Sequence, residues 1–117
     1  MRKVFIVLLN WLSRSPLGGR FFKTLLAAAA VGDGSRAIKS KDYENAYHIL
    51  RRFEKDQIDD VWVASCQYML GTLYLDGQGI SKNEEKAISV FQLAASAGND
   101  EAIRFMRRWN AKQRNAL

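Results

Sequence analysis

Leu70-Gly71-Thr72-Leu73-Tyr74-Leu75-Asp76-Gly77-Gln78-Gly79-Ile80 decides the fold of this 117-residue chain. Tyr68, Leu70, Leu73 and Tyr74 follow the spacings of three and four that put side chains on one helix face. The run from Leu75 to Gly79 ends that helix, because glycine takes a left-handed C-terminal cap at no steric cost. Ser81 or Asn83 can cap a second helix, with Glu84 and Glu85 placed favourably against its N-terminal dipole. Gly71, Ala87, Ala94 and Ala95 are small enough to let two helix backbones cross at the short end of the usual ~8–10 Å range. Leu70, Leu73, Tyr74, Ile80, Ile88 and Phe91 fill the volume around that crossing. Ala97-Gly98-Asn99-Asp100 then closes the second helix and starts another at Glu101. Residues 64–102 therefore read as one complete helical repeat, a unit that builds a stacking surface and carries no chemistry of its own.

The order and spacing of Leu70, Gly71, Leu73, Tyr74, Gly77, Gly79, Ala87, Phe91, Ala94, Ala95, Gly98 and Ala102 closely resembles the Sel-one-like repeat. That repeat is a relative of the tetratricopeptide repeat with a longer, glycine-bearing loop between its helices. The resemblance covers 64–102 strongly and 36–60 weakly. It implies an all-α fold, a short α-α superhelix of antiparallel helix pairs, and a role in protein–protein scaffolding rather than catalysis.

An earlier, degraded copy precedes the full unit. Lys41-Asp42-Tyr43-Glu44-Asn45-Ala46 lines up with Lys82-Asn83-Glu84-Glu85-Lys86-Ala87, offset by one residue, and Leu50 and Phe53 continue its apolar face. Upstream the Leu-Gly and Gly-x-Gly elements are missing, and Asp33 to Ile38 suffices for only a short first helix. After Ala102, Ile103, Phe105, Met106 and Trp109 predict an amphipathic capping helix. The expected organisation is an N-terminal arm over 1–31 and a repeat domain over 32–117. Within that domain stand a degenerate unit at 36–60, the full unit at 64–98 and the cap at 100–113. About three repeats usually make a self-standing solenoid, so this array needs well-capped ends or a layer from another chain. Homo-oligomer formation through exposed repeat ends is one way to supply it.

Charge is divided by segment. Residues 1–31 carry Arg2, Lys3, Arg14, Arg20 and Lys23 and no acid, while 32–100 carry eight bases against eleven acids. Residues 101–117 carry Arg104, Arg107, Arg108, Lys112 and Arg114 against Glu101. A nucleic-acid binder would place its bases on the folded face, so nucleic acid is not the expected partner. The run Val4 to Leu12 behind Arg2 and Lys3 has the form of an export signal, yet Ser13-Arg14-Ser15-Pro16 is a poor cleavage site. The second apolar run, Leu25 to Val31, offers small residues for cleavage but sits behind Arg20 and Lys23. Neither approaches the ~20 apolar residues that span a bilayer. Three readings of 1–31 stand open: a helical arm on the repeats or on an anionic membrane, a cleaved signal, or two capping helices near 3–13 and 19–31. The compartment follows from that choice: membrane-associated, cytoplasmic or exported.

Catalytic signals are sparse. His48 is the one histidine and Cys66 the one cysteine, so zinc-site spacings are absent, and Cys66 reads as a small core residue. Gly77-x-Gly79 has helical flanks and no preceding strand, so it is a repeat turn rather than a phosphate loop. No cofactor or metal is expected. The expected partner is another protein, held as a peptide or helix on the concave face. The residues expected to touch it are Gln67 and Thr72 on the less apolar side of the first helix, and Arg104, Arg107 and Arg108 on the cap.

Overall fold

The decisive stretch becomes a helix because a capping carboxylate stands before an unbroken run of apolar and small residues. In this computed structural model, which describes residues 2–13 and 19–116, that helix is α4, Val61–Asp76. The Asp60 carboxylate accepts hydrogen bonds from the Trp62 and Val63 amides at 2.9 and 3.0 Å. These satisfy two of the donors that a helix start leaves open. At the other end Gly77 adopts φ 67° and its amide donates to the Leu73 carbonyl. The other helices of the described residues are α1 (Arg2–Ser13), α2 (Gly19–Lys39), α3 (Tyr43–Leu50), α5 (Glu84–Ser96) and α6 (Asp100–Ala116). A 3-10 turn, Arg51–Phe53, follows α3. There is no strand among the described residues, and the fold is an all-α helical repeat.

Helix α4 is the centre of the stack. It packs against α5 on one side and against α2 and α3 on the other, and α6 packs on α5. It is accordingly apolar around more than one face, with Val63, Ala64, Cys66, Leu70, Leu73 and Tyr74 all buried. Asn83, rather than Ser81, caps α5, its side chain accepting from the Lys86 amide at 3.0 Å. Asn99 does the same for α6 through the Ala102 amide at 2.9 Å. The cap helix is stapled by aromatic contact: the Phe91 and Phe105 ring centroids lie 4.2 Å apart, and Trp109 stacks on Phe105.

The helix expected to stop near residue 31 does not stop there. α2 runs unbroken through Gly32 and Gly34 to Lys39, without a positive φ at either glycine. Each glycine costs a helix interior about 1 kcal/mol relative to alanine, and tertiary packing outweighs that cost. Ala27, Ala30, Gly34 and Ala37 are buried on α2, and thirty-seven residues later Ala64, Gln67, Gly71 and Tyr74 are buried on α4. The following helices match as well, Ala46 and Leu50 on α3 standing for Ala87 and Phe91 on α5. Gly34 faces Leu50 as Gly71 faces Phe91. The Leu-Gly glycine that is unrecognisable in the sequence of the earlier unit thus has a counterpart in Gly34, upstream of residue 36.

Only the connection differs. Ser40–Asp42 joins α2 to α3, whereas residues 77–83 join α4 to α5. The shorter turn closes with Lys41 at φ 61°, the Asp42 amide donating to the Ala37 carbonyl at 2.8 Å. This is the left-handed helix ending that Gly98, at φ 89°, makes after α5. The Ser13–Pro16 stretch weighed as a cleavage site falls mostly outside the described residues, which omit 14–18.

Candidate protein-binding site

The segment joining the two helix pairs, residues 54–60, is held by side chains from two helices, α2 and α4. From α4, the Gln67 amide group donates to the Phe53 and Asp56 carbonyls at 3.0 and 2.6 Å. The Tyr74 hydroxyl of α4 donates to the Glu54 carboxylate and lies 3.4 Å from the Tyr47 hydroxyl of α3. From α2, Lys23 pairs with Asp56 at 2.8 Å, Arg20 donates to the Asp59 carbonyl, and the Thr24 hydroxyl donates to Asp60 at 2.8 Å. Burial pushes the Asp60 carboxyl up. The amides of Val63 and Trp62, the Thr24 hydroxyl and the Arg20 charge outweigh that and hold it below its ordinary value. Burial, then the Glu54 hydrogen bond, pushes the Tyr74 phenol up, so it remains a neutral donor.

A fixed strip of chain in this position leaves an open trough along the molecule. On one side of the strip a depression of about 600 Å³ lies against α5, between Glu54 and Lys55 and the residues Lys86, Ser89, Val90 and Leu93. It adjoins a smaller one at Ile58, Leu93 and Ser96, and Gln57 lines both. A third, shared again through Gln57 and Ile58, opens on α2 at Arg20, Phe22, Lys23 and Leu26. The floor is apolar and the rim is charged, with Lys86 lying 5.6 Å over the Tyr74 ring. This pairing of apolar floor and polar edge suits a peptide better than a small molecule, whose pockets are more enclosed.

The residues expected from sequence to meet a partner are scattered. Gln67 was expected to be exposed, but it is 1% accessible and serves the 53–56 turn. Its polarity is used to satisfy buried backbone carbonyls, which would cost about 1–3 kcal/mol each if left unpaired. Thr72 is half-buried and its hydroxyl donates to the Met69 carbonyl at 2.6 Å. Arg104, Arg107 and Arg108 are exposed on α6, and Arg108 shares a small depression with Phe105, Trp109 and Lys112. Sequence reasoning missed the trough because its walls come from a linker and from the outer side of a second helix. The one available signal was the charged, proline-free run Glu54-Lys55-Asp56-Gln57 between two apolar helices.

Catalytic side chains do not converge anywhere along this surface. The Cys66 thiol is buried, donates to the Ala27 carbonyl at 3.5 Å, and is pushed up to about 12 by burial and then by the charge of Asp60. His48 is exposed beside the Tyr47 ring. Among the described residues no three His, Cys, Asp or Glu side chains are grouped to hold a metal ion.

The repeat signature is where the stacking occurs. Leu70, Gly71, Leu73, Tyr74, Ala87, Phe91, Ala94 and Ala102 are buried, and Ala95 packs half-buried against them. Gly77, Gly79 and Gly98 supply the positive-φ turns. No curated protein and no solved structure matches the chain. The family model described as Sel1 repeat matches residues 64–99. Repeats of that family generally mediate protein–protein interaction and are typically non-catalytic. Residues 64–99 are thus similar to a Sel1 repeat, a match that covers about a third of the chain.

Proposed function

We propose that this chain is a non-catalytic adaptor that holds a peptide or helix of a partner protein in the trough beside residues 54–59. The observation that carries the reading is the trough itself: half-buried Ile58 and Leu93, with buried Val90 beneath, are flanked by Glu54, Lys55 and Lys86. A partner segment with apolar anchors at helical spacing and charges of both signs would complement it. Arg104, Arg107 and Arg108 form a second exposed surface on α6, suited to an acidic partner.

Affinity capture from the native host, followed by reconstitution with the purified partner, tests the assignment. Leu93→Arg combined with Ser89→Arg fills the trough from positions that are not in the deep core. This variant is expected to lose the partner, while Arg104→Ala, Arg107→Ala and Arg108→Ala together retain it. The opposite pattern would move the site to α6. Undiminished binding by both variants would remove both surfaces from consideration.

A further inference from the structure

We propose that α1 is an interfacial anchor, whose apolar face seats in the headgroup region of an anionic bilayer. Every described side chain of α1 is exposed, although most are apolar. Val4, Val7, Leu8 and Trp11 stand at spacings of three, four and seven and so share one face. Val4 is 73% and Trp11 68% accessible, values at which a stripe of this kind would ordinarily be covered. α1 packs against α2, which itself exposes Phe21 and Leu25 near its start. No helix among the described residues is long and apolar enough to cross a membrane. At twelve residues α1 is about 18 Å long. A helix of that length with an apolar stripe and an aromatic flank lies in the interface rather than across it.

Charge selects the occupant. From Met1 to Gly32 the chain has five bases and no acid, and of these Lys23 already pairs with Asp56 while Lys3, on α1, is exposed. Two copies joined through this face would bring like charges together, whereas an anionic lipid surface supplies the missing sign. Lys3 is exposed at the start of the stripe, and Arg20 is exposed at the start of α2. No residue of α1 lines the trough, so membrane attachment through α1 and partner capture are separable.

Co-sedimentation of the full chain with vesicles tests this directly. Binding is expected to phosphatidylcholine vesicles that contain phosphatidylglycerol, to be much weaker with phosphatidylcholine alone, and to decline as salt screens the attraction. Val7→Asp with Leu8→Asp should abolish binding without changing the helical circular dichroism, because both side chains are exposed. Lys3→Ala should weaken it about fivefold, the equivalent of roughly 1 kcal/mol per surface base. If the double variant is poorly folded, Trp11→Ala alone carries the test, with substantial loss expected. Absence of sedimentation with either vesicle overturns the proposal. So does a self-association, seen by light scattering, that Val7→Asp with Leu8→Asp dissolves in the absence of lipid binding. A mature chain whose native amino terminus lies near Val31 overturns it equally. Partner capture in the trough is measured without lipid, so failure of one assignment leaves the other standing.

Discussion

The ring of Phe91 lies directly on the bare backbone of Gly71: a β-carbon there would sit 2.7 Å from Cε1 and 2.9 Å from two further ring atoms. In the equivalent place of the preceding helix pair, a β-carbon at Gly34 would meet Leu50 Cδ2 at 3.0 Å. The small residue in α4 therefore makes room for an aromatic ring rather than for a second backbone. Gly71→Ala gains about 1 kcal/mol of helix propensity but forces a rigid ring out of a packed core, which typically costs about 1–3 kcal/mol. The second effect should win, lowering the urea midpoint. Gly34→Ala meets the Leu50 side chain at 3.0 Å and beyond, a milder overlap than the ring makes, so gain and cost should nearly cancel. Equal midpoints for the two variants would mean that Phe91 does not rest on Gly71.

Gly79 and Gly98 share a left-handed backbone but differ in surroundings. A β-carbon at Gly79 would lie 2.3 Å from the Tyr43 carbonyl oxygen, whereas at Gly98 nothing stands within 4 Å. Gly98→Ala should cost only the left-handed strain, about 1–2 kcal/mol. Gly79→Ala adds to that strain the displacement of its loop from the start of α3, and should be the more destabilising by about 1–3 kcal/mol. Thermal or urea unfolding of the pair reads the difference, and a larger loss at Gly98 would contradict this packing.

Asp60 gives the stability a defined acid limb. Its folded carboxyl titrates below the ordinary value of 3.8, so its ionised form stabilises the fold above the unfolded value and that contribution fades as pH falls through the folded one. Asp60→Asn keeps a capping oxygen but not the charge, and should lose less stability than the parent between neutral pH and about pH 3. Asp60→Ala should cost about 1 kcal/mol at neutral pH, the usual worth of an N-cap. An acid limb of unchanged depth in Asp60→Asn would show that other carboxylates set it.

Cys66 reports opening of the core. A buried thiol raised to about 12 has almost no thiolate at mildly alkaline pH. Alkylation by iodoacetamide should therefore be slow in native buffer and accelerate along the urea unfolding transition. Labelling at the rate of a free thiol under native conditions would contradict the packing of α2 on α4.

The all-α class, the full unit and its glycine turns were legible because they rest on local rules. Helical spacing marks α4 and α5, and only glycine comfortably occupies the positive φ of Gly77, Gly79 and Gly98. The cap on α6 was legible for the same reason, through Phe105 and Trp109 at the spacing of one helix turn. What sequence alone left open was set by contacts between distant residues. Leu50, packed on Gly34, carries α2 through two glycines and gives the earlier helix pair the register of the later one. The Phe53 and Asp56 carbonyls turn Gln67 inward, although its polarity suggested an outward face. The trough exists because Lys23, Thr24, Gln67 and Tyr74, from two helices, fix one short linker. Local propensity determined which residues could be helical and where they turned. Burial and hydrogen-bond satisfaction across the stack decided how far α2 extends and which surfaces remain for a partner.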